Sequence, residues 1–439
     1  MLAAPDQATP PDPYADAFPM FAIAFFLVCL IIAPQLWIPP FVGLPTDYMG
    51  YPLLMLAAAL SGRLFNALKF GIHELLMFAF VAWTALSSMF NGFTDNSVTY
   101  LVFYFKAFLL FKLVLALLEG DLGRVRSFVR IFSLLVIILG FEVMSHRFSD
   151  DGRGWAGQTF SWIDPSVLAA GGKGRARWIG IFDGPGVFCV LFTFVVPFVL
   201  VRTGKAHPTL MRVYALLVLA LMLVATYFIG SRGGMVATLA IFGLYMLIKS
   251  KLSLRAMVAC GGLGMAVLML APSHLTTVRD SQNSTQYRVE MWAEGIEMMK
   301  HNPVFGIGRG NFKAYTAKLI AHNSAVEIGG ETGIVGLLLY VGLIYFCAKS
   351  ALHARAQFTE PADKDFALAA ALALLGYVIS AMFVTLEYET FYLVLAMCAA
   401  LGRCVPEPME VTRRDFKIIG ITVFAFLVIM QIFVIGYLG

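Results

Sequence analysis

Long apolar runs separated by polar breaks organise this chain. They occupy residues 18–38, 49–61, 72–91, 98–118, 127–145, 179–201, 211–229, 234–248, 256–272, 325–348, 366–386, 388–402 and 418–438. About 20 consecutive apolar residues suffice for a helix to cross the hydrocarbon core of a bilayer. The pattern therefore predicts an all-α polytopic membrane protein with about 12–13 transmembrane helices. The 49–61 run is short and fits a re-entrant or partly buried segment as well as a span. A membrane β-barrel would alternate apolar and polar positions in short strands, and these runs are continuously apolar. No internal repeat is visible. One integral membrane domain over 1–439 is expected, with residues 1–17 as a disordered tail. That tail carries Pro5, Pro10, Pro11 and Pro13 and no Lys or Arg, so it lacks the basic start of a signal peptide.

The largest polar break in the second half runs over 273–324. From Tyr287 to Lys300 the apolar residues Val289, Trp292, Ile296 and Met299 recur at helical spacing, while Glu290, Glu294 and Glu297 line another face. An amphipathic helix packed on the membrane domain is predicted, ended by His301-Asn302-Pro303. The stretch Ser324 to Glu327 has the spacing of a capping box, so a helix starts at Asn323 or Ser324 and descends into the membrane. His322 then stands at its rim, with Glu327 and Glu331 one and two turns down. Gly329, Gly330, Gly333 and Gly336 make that helix narrow, which suits close packing or a groove.

Composition agrees with the runs: of 439 residues 59% are hydrophobic and only 13% charged, and mean hydropathy is +0.80. No soluble domain has this balance. The net charge of +5 matters less than its placement. Arg63 and Lys69, Arg124, Arg126 and Arg130, Arg202, Lys205 and Arg212, Lys249, Lys251 and Arg255, Lys349, Arg355 and Lys364, and Arg403, Arg413, Arg414 and Lys417 fall in alternate loops. Lys and Arg in short loops mark the cytoplasmic side. The loops at 92–97, 146–178, 230–233, 273–324 and around Glu387 are then extracytoplasmic. Six cysteines lie in or beside apolar runs with no CxxC, so neither a disulfide framework nor a zinc site is expected.

Those extracytoplasmic loops concentrate cations. KGRARW holds Lys173, Arg175 and Arg177 just before a span. Lys173 and Arg175 read as interfacial anchors. Arg177 precedes GIFDGPG, whose Asp183, Gly184, Pro185 and Gly186 break the first turns of a membrane helix, either as a plain kink or as the lining of a cavity. Arg232 sits in GSRGG between two spans, flanked by glycines that would let a ligand approach closely, or else binds headgroups in a tight turn. Arg288 lies near the start of the amphipathic helix, and Arg309 in the glycine-rich GIGRGNF. Arginine forks suit a diphosphate. A neutral histidine, His322, suits general-base activation of a hydroxyl. No DxD-like pair appears, Asp150-Asp151 being the only acidic pair in the loops, and nothing indicates a metal, a nucleotide or a nucleic acid partner.

These residues resemble motifs of the O-antigen ligase / O-antigen polymerase superfamily of bacterial inner-membrane glycosyltransferases. HNSAVEIGGETGIVG has the ligase-type spacing of His322 and Asn323 to Gly333 and Gly336. NPVFGIGRGNF, from Asn302 to Phe312, resembles the family's NP-x-x-G-x-G-x-x-x-F stretch, and SRGG its SRG turn. Arg177 with GIFDGPG resembles R-x-x-G-x-F-x-x-P-N, departing at Gly186 where Asn is usual. The resemblance implies a GT-C-like membrane fold with a large helical periplasmic loop, 273–324, and a multi-pass protein of the inner membrane acting at its periplasmic face. It implies a donor glycan on undecaprenyl diphosphate and an acceptor sugar hydroxyl, without metal or nucleotide. By matching position His322, Arg288 and Arg232 would be catalytic, and Arg177, Arg309, Asn323 and Glu331 would bind diphosphate or glycan. Implied partners are membrane lipids, the acceptor glycan or lipid A-core, and other polysaccharide assembly proteins. The modest loop leans toward a polymerase of O-antigen or exopolysaccharide repeat units, with a ligase as the alternative. Outside the family, a polysaccharide or lipid transporter would need ionisable residues deep in spans. Lys106, Lys112, Glu74 and Glu142 lie in or near apolar runs, but the titratable groups cluster more at one face.

Overall fold

A computed structural model describes residues 17–161, 174–204, 207–249, 278–316 and 319–438. The helices are α1 (Ala17–Leu27), α2 (Thr46–Leu60), α3 (Leu64–Leu68), α4 (Ile72–Phe90), α5 (Asp95–Leu118), α6 (Leu122–Phe148), α7 (Pro185–Leu200), α8 (Thr209–Ile229), α9 (Arg232–Lys249), α10 (Val278–His301), α11 (Phe312–Tyr315), α12 (Ser324–Gln357), α13 (Pro361–Ala381), α14 (Glu389–Gly402) and α15 (Arg413–Leu438). Among the described residues nine helices are long and apolar enough to cross a membrane, and three shorter apolar helices accompany them. The protein is an all-α polytopic membrane protein. The run at 256–272 and nearly all of the 1–17 tail lie outside the described residues.

Polar contacts sort the loops into two ends. At one end Arg403 bridges Glu74 and Glu119, both at 2.6 Å. His73 meets Ser350 at 2.8 Å, Lys349 meets Asp415, and Arg126 and Lys249 pair with Asp363 and Asp365. This end holds the loops rich in Lys and Arg. The loops at 92–97, 149–161, 230–231, 302–316 and 382–388 gather at the other, where Thr94 Oγ1 donates to Asn311 Oδ1 at 3.0 Å and Ser97 Oγ to the Arg309 carbonyl at 2.8 Å. The core between them is continuous, with α7 and α14 almost wholly buried. Outer helices such as α15 leave Phe424, Ile429 and Ile432 exposed, as lipid-facing side chains must be.

Helix α12 is broken at Gly333, with φ 72° and ψ −177°. The break frees backbone groups that would be costly if left unpaired. The segment from Pro303 to Gly308 satisfies them: Ile334 N–H donates to the Pro303 carbonyl at 2.8 Å, and Ile307 and Gly308 donate to the Gly330 and Glu331 carbonyls. Trp83 Nε1 donates to the Thr332 carbonyl at 2.9 Å. A Cβ on Gly333 would stand 2.2 Å from the Val304 carbonyl oxygen, and one on Gly306 2.4 Å from the Glu331 carbonyl carbon. Both positions also need positive φ, so glycine is required at each.

Candidate functional site

Helix α10 lies over the bundle on its apolar face, burying Val289, Met291, Ile296, Met298 and Met299 against α12 and α15. That docking turns Arg288 toward the membrane domain. Arg232 is the first residue of α9, separated only by Ser231 from Gly230, whose φ of 66° closes α8. Loop 149–161 folds back over the segment 174–178, where Ser161 N–H donates to the Arg175 carbonyl at 3.0 Å, and the segment is tied to the end of α8 by Ala176 N–H donating to the Phe228 carbonyl at 3.1 Å. Arg175, Arg232, Arg288 and His322 thereby converge on one cavity of ≈ 500 Å³. Its remaining wall includes Trp292, Phe383, Val384 and Phe433, so one chamber offers three guanidinium groups and an apolar flank. A second cavity of ≈ 440 Å³ shares Arg288 and His322, and is otherwise lined by Tyr287, Met291, Lys313, Leu319 and Ile320.

His322 stands between the two spaces with its backbone held at φ 52°. The left-handed region is uncommon for a residue with a side chain, and it persists only where neighbours enforce it. Here they do. Ala321 N–H donates to Glu327 Oε1 at 2.9 Å, and its carbonyl accepts from Trp292 Nε1 at 2.8 Å. On the other side Asn323 Oδ1 accepts from Ala325 and Val326 N–H, capping α12. Ser324 Oγ accepts from Leu386 N–H at 3.0 Å. Burial, then the charge of Arg288, pushes the His322 imidazole down to about 4. It is therefore neutral at physiological pH, with a lone pair available to take a proton. Burial and the neighbouring Arg232 also lower Arg288, and burial with Arg232 and Arg288 lowers Arg175. Cations that depress one another in a partly buried chamber favour an anion that would neutralise them.

Four of the expected site residues lie elsewhere. Arg177 bonds the Thr159 carbonyl through Nε at 2.8 Å and pairs with Asp183, and it does not line the cavity. Arg175 takes that place, although the sequence marked it as an anchor. The two lie two residues apart in the same basic run, and only the folded loop 149–161 separates their roles. Arg309 is 1% exposed. It pairs with Glu331, reaches Glu387 at 2.7 Å and bonds Tyr104 Oη at 2.8 Å. Glu331 is equally buried and also accepts from Phe312 N–H at 2.7 Å. These two fasten the glycine-rich loop to the bundle and are not open to a substrate. Asn323 is fully buried as the cap of α12; its Nδ2 has no partner among the described residues, but it lines neither cavity. Gly233 and Gly234 pack against Phe383 and Cys189, so helix packing accounts for them better than ligand approach does. Lys173 lies outside the described residues. Among the described residues no three His, Cys, Asp or Glu side chains gather as a metal site would require.

The model of a family described as O-antigen ligase matches residues 217–341. Over that segment the chain is similar to the O-antigen ligase family. The matched segment carries Arg232, Arg288 and His322 together with the kink of α12, whereas Arg175, Phe383, Val384 and Phe433 of the cavity wall lie outside it. No curated protein matches the chain.

Proposed function

We propose that this protein transfers a glycan from undecaprenyl diphosphate to a sugar hydroxyl, at the periplasmic face of a bacterial inner membrane. The observation that carries the reading is the single chamber in which Arg175, Arg232 and Arg288 meet beside a neutral His322. The diphosphate sits among the three guanidinium groups. Bidentate forks hold phosphate oxygens and stabilise the charge that develops as the lipid diphosphate leaves. His322 removes the proton of the acceptor hydroxyl. The acceptor oxygen forms its bond to the anomeric carbon while the bond from that carbon to the diphosphate breaks. The arginines do here the work a metal ion does elsewhere. The polyprenyl chain leaves the chamber past Trp292 and Phe433. It follows the apolar seam of α10 and α15, where Ile296, Met299, Leu427 and Ile432 line a further groove of ≈ 420 Å³.

The modest loop favours polymerisation of O-antigen or exopolysaccharide repeat units, and the description of the matching family favours ligation to lipid A-core or protein. A deletion strain separates them. Loss of the chain-length ladder, with single units still attached, is the polymerase outcome. Intact lipid-linked polymer that is no longer attached is the ligase outcome. A deletion that changes neither would overturn both.

A further inference from the structure

We propose that the second cavity is an acceptor subsite that takes a sugar carrying an anionic group, a carboxylate or a phosphate, read by Lys313. The inference rests on the transfer reading above. Arg288 and His322 line both cavities, so they form the wall between them. Two substrates must meet at His322. The first chamber, with three arginines and an apolar flank, suits a lipid diphosphate, which leaves the other side of the histidine to the acceptor.

The chemistry of that side narrows the acceptor. Met291, Leu319 and Ile320 supply apolar wall, and the Tyr287 ring is 53% exposed. Aromatic and aliphatic surface of this kind covers the C–H faces of a sugar ring. No carboxylate lines the cavity among the described residues, whereas Arg288 and Lys313 do. Lys313 makes no ion pair or hydrogen bond among the described residues. Arg288 is shared with the diphosphate, so Lys313 is the cation left to the acceptor. An acidic group opposite it gains a charge-assisted hydrogen bond that a neutral sugar cannot make. Lys313 is exposed, so the gain is screened by salt and amounts to a preference rather than an absolute requirement.

The test uses the full-length protein in nanodiscs at low salt. Four probes are titrated: inorganic diphosphate, a neutral disaccharide, the same disaccharide oxidised at C6 to a carboxylate, and the same disaccharide phosphorylated at C6. Wild type should bind at least one charged disaccharide about three- to five-fold more tightly than the neutral one. Whichever charged form gains more identifies the anionic group. Lys313→Gln should erase the preference and Lys313→Glu should reverse it, with diphosphate binding unchanged in both. Equal binding of all three disaccharides by wild type, no binding of any, or a preference that survives Lys313→Glu would overturn the proposal. Failure of diphosphate to bind wild type would instead sink the transfer reading.

Discussion

At the scale of single residues the account turns on His322. Its imidazole is held near 4 by burial and by Arg288, well below the usual 6.5. A base must be unprotonated to act, so activity limited by this group stays level from pH 8 down to about 5 and falls as pH drops through about 4. Replacing Arg288 with Gln removes one of the two causes. The acid limb of the residual activity should then move up toward 6.5, which a pH–rate profile measures. The same shift bears on stability. The unfolded chain takes up this proton near 6.5 and the folded one only near 4, so His322 lowers stability as pH falls across that window. Arg232, Arg288 and His322 were legible in the sequence because each stands beside a span end or helix start where a polar side chain needs a reason. Arg175 was not, because it shares its local signal with Arg177, and only contacts made in the fold distinguish them: Ser161 N–H donates to the Arg175 carbonyl, while Arg177 is taken up by the Thr159 carbonyl and Asp183.

At the scale of elements the glycine-rich segment after α10 and the broken helix α12 form one unit. Gly333 opens the helix, the Pro303–Gly308 backbone closes it, and Arg309 pins the far side to Glu331 and Glu387. Removing the arginine leaves two buried carboxylates without their counter-charge, and breaking a buried pair in this way costs about 3–5 kcal/mol. Arg309→Ala should therefore lower the thermal midpoint and the folded yield in detergent. Arg232→Ala should leave both near wild type and abolish transfer. An Arg309→Ala protein as stable as wild type would contradict this assignment. The amphipathic α10 and the start of α12 could be read from apolar spacing and capping chemistry. That GIGRGNF is a clamp could not, because the partners of Arg309 come from α12, the 382–388 connection and α5, none of them its sequence neighbours.

At the scale of the whole molecule, apolar runs long enough to span a bilayer left little choice of fold class, and among the described residues the Lys and Arg distribution sorted the loops into the same two groups that the structure gathers at opposite ends. The site lies at the end opposite the basic loops, assembled from α9, α10, the segment before α7 and the mouth of α12. Bringing such distant stretches together depends on helix packing, which no local pattern encodes. The most direct test of the central claim is single-turnover transfer from undecaprenyl diphosphate-linked oligosaccharide, at saturating donor, by purified wild type and His322→Ala. Donor binding and helicity are measured on the same samples. The account predicts unchanged helicity, retained donor binding and transfer slowed by about 10²–10⁴-fold. A His322→Ala protein that transfers at the wild-type rate would contradict it.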